Sequence, residues 1–78
     1  MPRFFFHVRD GDVLTEDPDG SEFPDLAAAL AEALAAARDV LAEQLKAGTN
    51  PDGQRFEIHD DAGRMLGAVP FSDALKPI

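Results

Sequence analysis

From Pro24 to Gly48 the apolar residues recur at helical spacing, and on either side the chain switches to short β-favouring segments separated by turn residues. At about 100° per residue, Leu26, Leu30, Ala33, Leu34, Ala37, Val40, Leu41 and Leu45 share an arc of roughly 140°, the stripe of a helix packed on one side. That stripe is expected to face the core. Asp25 suits the N-cap, Gly48 suits the left-handed residue beyond the last turn, and Lys46 places a cation near the C-terminal carbonyls. The spacing therefore predicts a helix over 25–47. Gln44 falls inside the apolar arc and needs a polar partner there. The many remaining alanines favour the helix and leave a smooth flank that could receive a second helix.

The flanking segments read as two hairpins, over 3–16 and 54–70. Phe4-Phe5-Phe6-His7-Val8 is followed by Asp10-Gly11, a dipeptide suited to a two-residue turn, and Val13-Leu14-Thr15 returns antiparallel. This loop pairs Val8 with Val13 and His7 with Leu14, so Phe4, Phe6, Val8 and Val13 face the helix. Phe5, His7 and Leu14 face away. Asp17-Pro18-Asp19-Gly20 is a turn, and Phe23 is placed to pack back on the first turn of the helix. After the Thr49–Gly53 breakers, Arg55-Phe56-Glu57-Ile58-His59 alternates with period two, and Asp61-Ala62-Gly63 suits a three-residue loop with Gly63 left-handed. That loop sets Ile58 against Leu66 and Phe56 against Ala68, with His59 and Met65 on the far side; a two-residue loop turns Met65 and Val69 inward instead. The three-residue loop is the expected one. A short helical turn over 71–76 closes the chain, with Phe71 and Leu75 spaced to touch one surface. The predicted fold is α+β in the order ββαββ, a four-stranded, mainly antiparallel sheet with one long helix on one face. The strand at Phe4–Val8 is interior and the acidic Asp12–Glu16 segment lies toward an edge.

At 78 residues the chain is a single domain with a modest core, which favours association. With no cysteine it has no disulfide, thiolate metal site or cysteine nucleophile. A net charge of −8 disfavours phosphate-backbone binding, so no nucleic-acid partner is expected. The opening Met1–Phe6 run is interrupted by His7, Arg9 and Asp10, too soon for a signal peptide or membrane span, and a cytoplasmic location is the expectation.

Met1-Pro2-Arg3-Phe4-Phe5-Phe6-His7-Val8, Asp17 to Gly20, Phe23-Pro24-Asp25-Leu26, the alanine-rich helix, Arg55-Phe56-Glu57-Ile58, Asp60-Asp61-x-Gly63-Arg64 and Val69-Pro70-Phe71 follow one another in an order and spacing that resembles a family of short uncharacterised proteins common in rhizobia and related α-proteobacteria. The resemblance covers nearly the whole chain. It implies a bacterial, cytoplasmic, single-domain protein, and no catalytic residues come with it.

Candidate chemistry is sparse. No glycine has an aspartate five residues before it as a calcium loop requires, each glycine is isolated from any phosphate-binding pattern, and Thr15, Ser21, Thr49 and Ser72 have no histidine and carboxylate at triad spacing. An enzyme is disfavoured and no cofactor is expected. His7 and His59 both point away from the helix and, with Asp60, Asp61 or Glu57, form a weak alternative site for a divalent metal or small ligand. The stronger expectation is an interaction or regulatory accessory domain. The sheet face turned from the helix, carrying Phe5, His7, Leu14, His59 and Met65, is too apolar for plain solvent surface and is expected to be the interface of a homodimer, with the alanine flank as a second choice.

Overall fold

The aromatic run near the N-terminus forms the longest strand of the sheet, β1 (Arg3–Asp10), in the computed structural model, which describes residues 1–48 and 53–75 and, for Leu75, the backbone alone. β2 (Val13–Thr15) and the two-residue β3 (Ser21–Glu22) both pair with one side of β1, while β4 (Gln54–Asp60) pairs along the whole of its other side. β5 (Met65–Pro70) follows β4, giving the order β2-β1-β4-β5 with every neighbouring pair antiparallel. The helix α1 (Leu26–Lys46) covers one face, and a closing 3₁₀ turn spans Phe71–Leu75. The fold is α+β as the pattern predicts, with β3 as an unforeseen fifth strand. A two-residue strand has no periodicity to announce it.

Asp25 caps α1, its Oδ1 accepting from the Ala28 amide at 2.9 Å, and Gly48 beyond the last turn has φ of +76°. The buried line along α1 runs Ala29, Ala33, Ala37 and Leu41, so alanines rather than leucines lie at its centre. Small side chains let the helix backbone settle close to what lies beneath, while Leu26, Leu30 and Leu34 pack half-buried against the core. Two positions correct the predicted stripe: Ala29 is fully buried and Leu45 is 61% exposed. Below the helix lie Phe4, Phe56, Ile58, Val69 and Phe71, with Phe23 stacked on Phe6 at 5.8 Å and near Phe4 at 6.2 Å. Phe23 thus packs on the first strand, and Phe6 carries the aromatic contacts on to Phe56 at 6.0 Å and from there to Phe71 at 4.8 Å. Of the predicted 71–76 turn, Phe71 and Ala74 supply the buried contacts; the Leu75 side chain and residue 76 lie outside the described residues, as do Thr49 to Asp52 of the breaker cluster.

Both hairpins depart from their predicted pairing. In the first, Asp10 pairs with Val13, Arg9 with Leu14 and Val8 with Thr15, so the turn residues are Gly11 and Asp12. Gly11 has φ of +60° and Asp12 has no positive φ, which places glycine first in the turn and excludes the type I′ geometry. The register moves by two residues, and an even shift leaves each side chain on its expected face. Leu14 still lies with Phe5 and His7, but Val13 is carried to the strand end beside Asp10 and is 64% exposed rather than in the core. In the second hairpin the three-residue loop holds near the turn, where His59 pairs with Met65 and Gly63 has φ of +83°. A bulge in β5, opposite the step from Ile58 to His59 of β4, then shifts the rest, so that Ile58 faces Gly67 and Phe56 faces Val69, not Leu66 and Ala68. The extra residue is Leu66, which packs against the core. The bulge thereby keeps Met65 outside and brings Val69 inside.

Candidate functional site

The sheet face opposite α1 takes its side chains from alternate positions of four strands: Leu14 of β2, Phe5, His7 and Arg9 of β1, Arg55, Glu57 and His59 of β4, and Met65 of β5. All five residues singled out for an interface therefore lie on one face. Phe5, His7, Leu14 and His59 are half-buried, and Met65 is 51% exposed.

Two groups organise this face. In the first, Arg9 and Arg55 are direct cross-strand partners, a like-charge pairing that by itself destabilises a sheet. Glu57 resolves it. Arg9 Nε donates to Glu57 Oε2 at 3.1 Å, and Arg55 donates to the same oxygen from Nε at 3.1 Å and Nη2 at 2.9 Å. Glu57 is only 5% exposed although it lies on the open face, because its neighbours and the two guanidiniums wrap it. The hydrogen bonds from Arg9 and then Arg55 hold its pKa below the ordinary glutamate value despite partial desolvation.

In the second group the two histidines meet. Their ring centroids are 4.7 Å apart in an edge-on arrangement, and Phe5, the cross-strand partner of His59, stacks with His7 at 6.3 Å. His7 Nδ1 accepts the backbone N–H of Asp17 at 3.0 Å, so the neutral ring carries its proton on Nε2. His59 Nδ1 lies 3.2 Å from the Gly63 carbonyl, which can only accept, so this ring carries its proton on Nδ1. His59 Nε2 is shut from solvent without a hydrogen-bond partner.

This pairing bears on the metal alternative. With the Nδ1 lone pair of His7 committed to the Asp17 amide and Nε2 protonated, joint ligation by His7 and His59 requires His7 to give up its backbone partner. Asp60 is not beside the pair: its carboxylate accepts from the amides of Ala62 and Arg64 at 3.0 and 2.8 Å and from Arg64 Nε at 3.3 Å, closing its own turn. Among the described residues no three histidine, aspartate or glutamate side chains are placed to hold a metal ion.

Asp17 is the residue that the sequence did not single out. β2 and β3 leave the middle of β1 without a strand partner on their side, and the loop between them lays Asp17 into the gap. Its Oδ2 accepts from the Phe6 amide at 3.2 Å, and its Oδ1 accepts from those of Asp19 and Gly20 at 3.2 and 3.1 Å. Partial burial raises its pKa, but the Gly20, Phe6 and Asp19 amides, with His7 nearby, outweigh that and hold it low. The Asp-Pro-Asp-Gly composition signals the local turn; the long-range bond to β1 has no local signature.

Gln44, the polar residue in the helix stripe, has a partner in Gln54, whose Oε1 accepts from Gln44 Nε2 at 2.6 Å. An open groove of about 510 Å³ runs beside it, lined by Asp39, Val40, Glu43, Gln44 and Ala47, away from the histidine pair. No helix among the described residues is long and apolar enough to cross a membrane.

A family model described as a domain of unknown function, DUF6894, matches residues 3–72. No curated protein and no solved structure matches the chain.

Proposed function

The chain belongs to the DUF6894 family, whose function is unknown, and from that premise we propose that it is a small non-catalytic interaction domain that pairs with a second copy of itself through the sheet face opposite α1. The observation that carries this reading is the continuous run Phe5, His7, His59, Met65 across three strands of a face that the described chain covers at one margin, where the Asp17–Gly20 loop meets Phe5 and His7. One helix on one sheet gives a slab only 17 Å deep along its shortest axis. Such a slab buries one side of its sheet and turns the other outward, where an antiparallel sheet meets either water or a partner.

Charge favours a second copy at this face. Two arginines against one glutamate, +2 and −1, leave its ion cluster at +1 in a chain of −8. The carboxylates of Asp10, Asp12, Glu16, Asp19 and Glu22 are exposed along the β2 and β3 border instead. Two acidic chains therefore meet with less repulsion at this face than along the carboxylate-lined border of β2 and β3. The free edge of β5 is a poorer site, since a bulge and Pro70 interrupt it. The alanine flank on the back of α1, where Ala27, Ala31, Ala35, Ala42 and Ala47 are exposed, is the second choice, since its small side chains offer a partner less apolar area. The reading places the domain in a bacterial cytoplasm, as its resemblance to the rhizobial proteins implies.

Sedimentation equilibrium tests it. A dimer is expected at about 100 μM chain, in the range of modest self-association, and Phe5→Glu, which sets a carboxylate beside its twin, is expected to give a folded monomer. A monomeric wild type at that concentration, or a Phe5→Glu protein that remains dimeric, overturns the reading.

A further inference from the structure

We propose that His7 is a proton-operated latch for the loop Glu16–Gly20: the neutral ring holds the loop by accepting the Asp17 amide, and protonation of the ring releases that hold. The inference rests on the geometry of one chain and does not depend on self-association.

Three hydrogen bonds tie the loop to β1: Arg3 Nη1 donates to the Asp19 carbonyl at 2.9 Å, the Phe6 amide donates to the Asp17 carboxylate, and, as the second tie of Asp17, its own amide donates to His7 Nδ1. The second tie is directional. A backbone N–H can only donate, so it needs a lone pair on Nδ1, and an imidazolium has none. Protonation therefore sets two donors against each other across 3.0 Å. An imidazole undergoes this change between about pH 5 and pH 8, where the Asp17 carboxylate stays ionised and its own tie to Phe6 remains.

The groups around His7 determine where the ring can turn once it is charged. On β1, Arg9 lies two residues along the same face, and on β4, Glu57 is the direct cross-strand partner of His7 but is already held by Arg9 and Arg55. His59 presses on the ring from β4 and its accessible proton is committed to Gly63. From the loop comes the Asp17 carboxylate, with Glu16 exposed beside it in sequence; β2 and β5 contribute Leu14 and Met65, which carry no charge. Of these, the Asp17 carboxylate is the anion that feels the His7 charge, and amides rather than an arginine hold it. A charged His7 is thus drawn from the amide of Asp17 toward its carboxylate, which alters how the loop docks. Gly20 rides on the same loop, where an added Cβ would lie 2.9 Å from Phe5 Cε2, so the movement reaches the aromatic ring beside His7.

Amide hydrogen exchange followed by NMR, with the ring protons of His7 recorded in parallel, tests the latch. After correction for the intrinsic pH dependence of exchange, protection of the Asp17 amide is expected to fall about tenfold or more as the His7 ring titrates, while the Ile58 amide in the middle of the sheet keeps its protection. In His7→Asn the side-chain oxygen can still accept but cannot titrate, and Asp17 protection is expected to stay level over the same range. Three results each overturn the proposal: protection unchanged while His7 titrates, an equal fall in His7→Asn, or a His7 ring that remains neutral down to about pH 5.

Discussion

Gly20 shows how closely the edge loop sits on the first strand. With φ of +70° it already occupies backbone space that disfavours side chains, and a Cβ there would lie 2.9 Å from Arg3 Cγ and 3.0 Å from the Phe4 carbonyl oxygen. Gly20→Ala is expected to destabilise the fold by more than about 1 kcal/mol, read as a lower urea midpoint with an unchanged slope; an unchanged midpoint would show that the loop has room to spare. The carboxylates of Asp17, Glu57 and Asp60 all titrate below their ordinary values. A depressed folded-state pKa adds stability that is present above the unfolded value and is lost as pH falls through the folded one. Thermal unfolding is therefore expected to be insensitive to these three groups above about pH 5 and to drop in temperature below about pH 4. Glu57→Gln should remove part of that acid-side slope, since the bridging charge between Arg9 and Arg55 is gone at every pH. At this scale the far-face residues are legible because alternation fixes which way Phe5, His7 and His59 point. The meeting of the two rings and the hold of Asp17 on Phe6 are not, since each joins strands or loops whose register has no local signal.

Among the elements, the helix shows most clearly where pattern and packing diverge. Hydropathy ranks leucine above alanine and so centres the predicted stripe on the leucines, yet closest approach goes to Ala29, Ala33 and Ala37. A helix seated on alanines has no room to grow there. Ala33→Leu is expected to cost about 1–3 kcal/mol through overpacking, whereas Ala35→Leu on the exposed side is expected to stay within about 0.5 kcal/mol of wild type. Equal effects of the two in chemical denaturation would contradict this placement. The hairpins teach a complementary lesson. Period two specifies a face, and the first hairpin obeys it despite a two-residue slip; only an odd shift would turn Phe5 inward. In the second, the two loop lengths appeared as alternatives, and the bulge at Leu66 satisfies part of each by placing Met65 out and Val69 in. A bulge inserts one residue without changing composition, so the chain gives no sign of it in advance.

On the scale of the whole molecule, one helix covers one face of a sheet, and the other face holds the Arg9–Glu57–Arg55 ion cluster beside an aromatic run ending in an exposed methionine. The fold was readable because every element but β3 follows the period of its own secondary structure; the partner was not, because an interface leaves only an excess of apolar side chains on one face. Family membership locates the chain among related sequences and supplies no activity, so the uncovered face carries the functional reading. Its most direct test is a mixed sample of isotope-labelled and unlabelled chains, filtered for magnetisation passing between copies. The account predicts cross-peaks from the Met65 methyl group and the Phe5 ring of one copy to the same face of the other. A dimer whose only such cross-peaks arise from the exposed side of α1, or a sample at dimer-forming concentration with none, would contradict it.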